Sequence, residues 1–131
     1  MTNQAGLRAW VALAALVLAG FAGASRLRRL EVIGDSMLPT LQPGDRVVVW
    51  RGTRVRTGDL VAFPDPSPPH RVMVKRVSAL LGEGRLLVEG DNRAVSIDSR
   101  SFGSLHREAL IGRIVYRYAP ESRSGRLVTR G

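Results

Sequence analysis

An uncharged stretch near the amino terminus constrains the fold of this chain more than any other feature. Residues Ala9 to Ser25 read AWVALAALVLAGFAGAS and are bounded by Arg8 and Arg26. A helix of this length is at the short end of what spans a bilayer, and an apolar run without charges favours that environment. We therefore expect a transmembrane anchor over residues 9–25, preceded by a flank of residues 1–8.

The residues around this stretch leave its processing and its orientation open. The small-x-small pattern Ala22-Gly23-Ala24 is also typical of the cleavage site of a secretory signal peptide. Three arginines follow within residues 26–29, which disfavours translocation of that flank and nominally places the folded part in the cytoplasm. We expect a single-pass protein of the plasma membrane, with its folded part on the cytoplasmic side or, alternatively, outside.

Beyond this stretch the chain alternates short β-type runs with turns. Runs rich in aliphatic and aromatic residues predict strands over 46–50, 60–63, 71–78, 85–89 and 111–118. Glycine-containing turns lie at 43–45, 57–59, 82–84 and 90–92, and a proline-rich loop at 64–69. Only residues 105–110 favour a short helix. The pattern predicts one mainly β domain over residues 30–120, a compact barrel or folded sheet, and a frayed tail over 121–131.

Composition removes several classes of function. Cysteine is absent, and the two histidines, His70 and His106, are too few for a metal cage, so we expect no metal and no cofactor. The net charge is +9, but the basic residues are dispersed, which favours lipid headgroups over a nucleic acid partner. Nineteen of the twenty basic residues are Arg, and the remaining one is Lys75. Unlike an arginine, a desolvated lysine can lose its proton and act as a base.

Lys75 lies on an alternating run that predicts its surroundings. A period of two puts it on the same face as Met73 and Val77, with Arg76 on the opposite face. Apolar neighbours destabilise an ammonium relative to the neutral amine, so we expect the pKa of Lys75 to be lowered toward that of a general base. The alternative is a lysine that reaches solvent at the edge of the sheet.

Two other segments hold residues suited to serine chemistry. Ser36 lies in the turn 34–40, where its hydroxyl is exposed and its backbone N–H can face a developing oxyanion. The polar run 90–100 contains Ser96, a candidate to orient the lysine amine by a hydrogen bond. The alternatives are an ordinary serine turn and a solvated loop in which Asp98 pairs with Arg100. Neither histidine lies in a context that supports a Ser-His-Asp triad.

Four segments, in order along the chain, resemble the type I signal peptidase family of S26-type Ser–Lys proteases. They are GDSMLPTL (34–41), RTGDLVAF (56–63), MVKRV (73–77) and GDNRAVSIDSR (90–100). The resemblance implies a folded β domain behind a membrane anchor, with Ser36 as nucleophile and Lys75 as general base. It also implies supporting roles for nearby residues: Ser96 to position the lysine, Asp98 and Arg100 as a structural pair, Gly90, Asp91 and Asn92 to shape a turn, and Met37, Leu38 and Pro39 to line the substrate groove.

The chain departs from well-known members of that family at two points. Gly34 stands where some members supply a hydroxyl to the oxyanion hole, so the resemblance leaves this role chiefly to the backbone N–H of Ser36. Only fourteen residues separate Lys75 from Gly90, so the large insert of many relatives is missing. The sequence therefore predicts a minimal catalytic core.

The implied function is the removal of an N-terminal leader or propeptide from a protein substrate at the lipid bilayer. The small size and the ending GRIVYRYAP (112–120) resemble a narrower branch, the nickel superoxide dismutase maturation proteases. A general signal peptidase that cuts secretory signal peptides is the alternative.

A self-cleaving repressor-like domain would need a DNA-binding helix-turn-helix in place of the apolar stretch. A non-catalytic, membrane-tethered basic module leaves the single lysine unexplained.

Overall fold

One exposed helix precedes the folded part of the chain. A computed structural model describes residues 3–127 and 129, and its first element is the helix α1, Gln4–Ser25. The window Gln4–Phe21 has a mean hydropathy of 1.5 and is long and apolar enough to cross a membrane. The helix begins five residues before the predicted stretch, because the flank up to Arg8 continues the same helical turns. The predicted apolar N-terminal helix is confirmed.

The rest of the chain forms one antiparallel sheet. Its order is β1-β2-β7-β3-β4-β5-β6, with β8 paired to β7. The strands are β1 Leu27–Glu31, β2 Arg46–Arg51, β3 Leu60–Pro64, β4 Val72–Leu80, β5 Arg85–Glu89, β6 Leu105–His106, β7 Gly112–Ala119 and β8 Gly125–Arg126. Within the described residues the end strands β1 and β6 do not pair with each other, so the sheet is not closed into a barrel. The predicted mainly β fold is confirmed as a folded, open sheet.

Three short regions differ from the sequence-based expectations. Residues 105–110, expected to be helical, form β6 and then a 3-10 helix over Arg107–Ala109. A one-turn helix, α2, Ser99–Phe102, lies inside the polar run. The tail, expected to be frayed, forms a 3-10 helix over Glu121–Arg123 and then β8. The buried carboxylate of Asp45 stabilises the tail, since it forms ion pairs with Arg117 and Arg123.

The central strand β3 separates two hydrophobic clusters. Leu60 and Ala62 pack into one cluster, whereas Val61 and Phe63 pack into the other, so both faces of β3 are buried. Met37 belongs to the first cluster and is only 1% exposed. Burial of a side chain of this size contributes about 2 kcal/mol. The turn that carries Ser36 is therefore anchored to the core through the next residue.

Candidate active site

The structure brings Ser36 and Lys75 into direct contact. Ser36 is half-buried in the turn after β1, and Lys75 lies in the middle of β4. The Nζ atom of Lys75 is 2.6 Å from the Oγ atom of Ser36. This is hydrogen-bonding distance, the geometry that a nucleophile and its base require. The structure therefore brings the two candidate catalytic residues together.

The environment of Lys75 favours its neutral form. The side chain is 3% exposed, and Val77, two residues along β4, is buried beside it while Met73 is half-buried. Burial lowers the pKa of Lys75 from its ordinary value of 10.5, because the ammonium loses its hydration. The negative charges of Asp98 and Asp65 oppose this effect in part. At neutral pH a larger fraction of Lys75 is therefore in the neutral amine form than for an exposed lysine.

The turn that carries Ser36 is held from outside by Asn92. The backbone N–H of Asn92 donates to the carbonyl oxygen of Ser36 (2.9 Å), and its side-chain amide donates to the carbonyl oxygen of Asp35 (3.1 Å). Gly34 precedes them with a φ of 80°, a left-handed conformation that favours glycine. Among the described residues nothing accepts a hydrogen bond from the N–H of Ser36. That N–H is free to bind an oxygen of another molecule.

The polar run is organised around a buried carboxylate. Asp98 is fully buried and accepts hydrogen bonds from the N–H of Gly90 (3.0 Å), the hydroxyl of Ser96 (2.8 Å) and both the backbone and the guanidinium of Arg100. Burial by itself opposes ionisation of Asp98. The hydrogen bonds from Arg100, Gly90 and Ser96 outweigh it, so the pKa of Asp98 is lowered well below its ordinary value. The predicted pair of Asp98 with Arg100 is present.

Ser96 contacts Asp98 rather than the lysine. In the described part of the chain its hydroxyl forms its one hydrogen bond with Asp98, and none with Lys75. Gly90 lies where this serine meets the nucleophile turn. A Cβ atom at Gly90 would lie 2.2 Å from the Oγ of Ser96 and 2.6 Å from the carbonyl oxygen of Ser36. Only glycine allows the two segments to approach so closely.

Asp91 does more than shape the predicted turn. Its carboxylate accepts two hydrogen bonds from the guanidinium of Arg76 (2.8 and 2.7 Å) and one from the hydroxyl of Thr40 (2.5 Å). Arg76 also donates to the carbonyl oxygen of Gly58. This cluster joins the Ser36 turn, strand β4 and the 90–92 turn on the side of β4 opposite Lys75. It fixes the relative positions of the segments that carry the site.

An open groove leads to Ser36 and Lys75. It has a volume of about 460 Å³, and Ser36, Met37 and Lys75 line it. Its walls are two segments: residues 30–33, which include the end of β1, and residues 71–74, which include the start of β4. Of the residues predicted to line a groove, Met37 does so, whereas Leu38 and Pro39 are not part of the lining. Within the described residues no group of three or more acidic or histidine side chains is arranged to hold a metal ion.

A family model matches most of this chain. The model described as "Signal peptidase, peptidase S26" covers residues 7–83 and 81–119, which include most of α1, Ser36, Lys75 and the polar run. The chain belongs to the S26 signal peptidase family. Membership of that family makes it a serine peptidase of the signal peptidase I type.

Similar proteins come from mitochondria and bacteria. Mitochondrial inner membrane protease subunit 2 of Saccharomyces cerevisiae is 32% identical over 123 aligned residues, covering 72% of this chain and 70% of the relative. The probable signal peptidase I-1 of Synechocystis is 29% identical, with 71% of each chain covered. Human mitochondrial inner membrane protease subunit 1 is 32% identical, with coverage of 70% and 69%. Together with α1, these relatives identify this S26 peptidase as a single-pass membrane protein.

Several residues that organise the site of this S26 peptidase were not found from the sequence. Thr40 and Arg76 bind Asp91 from other segments, and Asp65 raises the pKa of Lys75 from the proline-rich loop. Ile33 and Val72 line the groove and are exposed. Ile33 directly precedes the Ser36 turn and could have been found from that position, whereas no local pattern marked Val72. The other three depend on contacts between distant segments, for which the sequence carries no local pattern.

Proposed function

We propose that this S26 peptidase removes N-terminal leaders from proteins at a membrane, with Ser36 as nucleophile and Lys75 as general base. The observation that carries the proposal is the 2.6 Å distance between Nζ of a buried lysine and Oγ of a half-buried serine. A lowered pKa has no function in a solvated surface lysine. A general base needs one, because it must be neutral near the pH at which it works. The free N–H of Ser36 supplies an oxyanion donor in the same turn.

The chemistry follows from these positions. Neutral Lys75 accepts the hydroxyl proton of Ser36 while Oγ attacks the scissile carbonyl carbon, and the oxyanion that forms accepts a hydrogen bond from the N–H of Ser36. The lysine ammonium then donates its proton to the leaving amine, and the peptide C–N bond breaks to leave an ester on Ser36. The neutral amine next takes a proton from water as the water oxygen attacks the ester carbon. The lysine ammonium returns that proton to the Oγ of Ser36 as the ester C–O bond breaks, and the product leaves as a carboxylic acid that ionises in water.

The other residues act by holding this pair. The negative charge of Asp98 favours the protonated form of Lys75, and its carboxylate also accepts hydrogen bonds from Ser96 and Gly90 beside the nucleophile turn. The side-chain amide of Asn92 donates to the carbonyl oxygen of Asp35, which lies in the same planar peptide unit as the N–H of Ser36, and so orients that N–H. We therefore assign Ser96, Asp98 and Arg100 to positioning roles, with Ser96 acting through Asp98.

The groove suits an extended peptide rather than a compact side chain. Its two walls are segments of β1 and β4, and extended backbone beside a site favours binding of a third extended segment. Exposed Ile33 and Val72 make the walls apolar. The relatives described above are named as signal peptidases and as inner membrane proteases, which supports a leader-bearing protein as substrate. The anchor helix keeps the groove near the membrane in which such leaders lie.

The narrower assignment, maturation of nickel superoxide dismutase, rests on the small size, the single anchor, the ending 112–120 and the arginine-rich flank. None of the relatives described above is named for that activity, so the general leader peptidase is the function we favour. One experiment compares them. The full chain in detergent is incubated with a secretory preprotein and with a superoxide dismutase precursor carrying its N-terminal extension, and new N-termini are identified by mass spectrometry.

Two variants make the comparison decisive. Ser36→Ala removes the nucleophile, and Lys75→Arg keeps the positive charge but removes a base that can be deprotonated. We expect the wild type to cut the preprotein and both variants to lose more than about 1,000-fold in kcat. Cleavage of the dismutase precursor alone would replace the general function with the narrower one. Equal cleavage by wild type and both variants would exclude the dyad, whereas cleavage of neither substrate by any of the three proteins would favour a non-catalytic membrane-tethered module.

A further inference from the structure

A second cleft lies away from the Ser36 groove, at the end of β2. It has a volume of about 580 Å³ and is formed by the β2–β3 connection, β7 and the 3-10 helix after β6. We call it the arginine cleft, and its principal lining residues are Trp50, Arg54, Arg56, Asp59, Arg107 and Arg113. It shares no lining residue with the groove at Ser36. The proposed peptidase mechanism makes no use of it.

The positive charge in this cleft is not balanced by the protein. Four guanidinium groups face one carboxylate, and that carboxylate, Asp59, already accepts hydrogen bonds from the N–H of Arg56 (2.8 Å) and the hydroxyl of Thr129 (2.6 Å). Among residues 3–127 and 129 no ion pair joins any of the four arginine side chains to an acid. The Nε atom of Arg107 is buried and has no hydrogen-bond partner there. The cleft therefore has a surplus of positive charge that an anion would balance.

The side chains suit an anion that presents several oxygens, such as a phosphate group. A guanidinium presents a planar set of donors that matches the oxygens of a phosphate and binds them in pairs. It is also less strongly hydrated than an ammonium, so less free energy is lost when it leaves water. Arg54 and Arg56 are exposed at the mouth of the cleft, whereas Arg107 and Arg113 are half-buried. A phosphate would therefore be held from both the mouth and the wall.

The position of the cleft identifies the source of the phosphate as the membrane. The N–H of Arg51 donates to the carbonyl oxygen of Arg26 (2.7 Å), directly after α1 ends at Ser25. Trp50 pairs with Leu27 across β1 and β2, and both side chains are exposed. Tryptophan is enriched at the level of lipid headgroups, where the ring contacts the acyl chains and the indole N–H remains hydrated. The cleft thus opens where the anchor helix leaves the bilayer.

We propose that the arginine cleft binds the phosphate of an anionic phospholipid, with the Trp50 ring against the acyl chains. The occupant is a headgroup of the same membrane that holds α1, and it fastens the sheet to the bilayer surface at a second point. This proposal does not depend on the proteolytic function. It differs from diffuse attraction between a basic protein and a membrane, because it assigns the binding to particular arginines.

Fluorescence quenching of Trp50 tests the proposal in the full chain. The chain has two tryptophans, and Trp10→Phe in the exposed face of α1 leaves Trp50 as the reporter. The protein in dodecyl maltoside micelles is titrated with phosphatidylglycerol or phosphatidylcholine, each brominated on its acyl chains. The cleft variant is Arg54→Gln/Arg56→Gln. The control, Arg46→Gln/Arg85→Gln, removes the same charge at two exposed positions outside the cleft, one of them at the opposite end of β2.

We expect half-maximal quenching at about tenfold less phosphatidylglycerol than phosphatidylcholine, and a loss of this preference in the cleft variant only. Circular dichroism and the Tm verify that both variants fold. Equal quenching by the two lipids, or an equal effect of the cleft and control variants, would overturn the proposal. In a third series of titrations, inorganic phosphate is added as a competitor of the lipid. If it displaces the lipid at equal concentration, the cleft is a site for a free anion and the assignment to a headgroup is wrong.

Discussion

The Nζ of Lys75 lies 2.6 Å from the Oγ of Ser36, although 39 positions separate the two residues in the chain. Two independent packing arrangements produce this contact. Met37 is buried in one hydrophobic cluster and anchors the serine turn, and Lys75 is placed by the pairing of β4 with β3, opposite Val61. Because each residue is held by the core, their contact exists before any substrate binds. A preformed nucleophile–base pair has consequences for pH dependence, for the glycine beside it and for stability.

The rate of cleavage should rise with pH as Lys75 loses its proton. Burial lowers the pKa of Lys75 below 10.5, so the rising limb of kcat/KM should lie below that value. Asp65 raises this pKa through its negative charge, and Asp65→Asn should therefore move the limb to lower pH. The asparagine keeps an oxygen for the hydrogen bond from the N–H of Ser67. Initial rates measured across the pH range report the shift.

Glu83→Gln is the matched control for this measurement. Glu83 is an exposed acid in the 82–84 turn and does not contribute to the pKa of Lys75. The Glu83→Gln variant should therefore show the rising limb of kcat/KM at the same pH as wild type. If the rising limb of kcat/KM lies at the same pH in Asp65→Asn as in wild type, a group other than Lys75 accepts the serine proton.

Gly90→Ala should impair catalysis through the nucleophile turn. The added Cβ would lie 2.6 Å from the carbonyl oxygen of Ser36 and 2.2 Å from the Oγ of Ser96, so one of these segments must move. A displacement of about 1 Å in a nucleophile lowers kcat by about 100-fold. Gly82→Ala is the control, since no atom lies within 4 Å of its added Cβ. Comparable kcat values for the two variants would show that the close approach at Gly90 is unimportant.

Asp98→Asn should destabilise the fold and change its response to acid. The carboxylate is fully buried and its partners include Arg100, so the substitution should lower the free energy of unfolding by about 3 kcal/mol. The pKa of Asp98 in the folded state lies below its ordinary value of 3.8. Its stabilisation is therefore complete above that value and is lost as the pH falls through the folded-state pKa. Thermal melts from pH 5 to pH 2 should show a steeper loss in wild type than in the variant.

Lys75→Met should abolish cleavage and raise stability. Burial of the ammonium makes the folded state less stable than it would be with an apolar side chain of similar length. The pKa of Lys75 is lowered in the folded state. Between that folded-state pKa and about pH 10.5, the unfolded chain therefore binds more protons than the folded chain, and wild-type stability rises with pH. The gap in Tm between Lys75→Met and wild type should be largest at neutral pH and smaller at pH 10. A variant less stable than wild type at pH 7 would contradict this account.

Local sequence patterns were sufficient for the longer strands and insufficient for the short elements. Short runs rich in aliphatic and aromatic residues predicted β2, β3, β4, β5 and β7 to within two residues, because such runs between turn residues are typical of strands that pack against a core. Strand β1 was missed, since its two arginines interrupt the apolar pattern while the alternate burial persists. Strand β8 was missed because the tail that contains it is held by distant residues, through the ion pair of Arg123 with Asp45.

For the candidate site, the sequence by itself determined the chemical inventory. A single lysine among twenty basic residues, flanked by apolar neighbours, and a serine in a tight turn indicated the two groups that now lie 2.6 Å apart. Only the tertiary structure decided that Ser96 donates to Asp98 and that Asp65 influences the lysine. It also decided that the arginines of the β2–β3 connection meet Arg107 and Arg113 in one cleft. The physical reason is that a residue's type is local, whereas its partners depend on strand register and core packing between segments far apart in the chain.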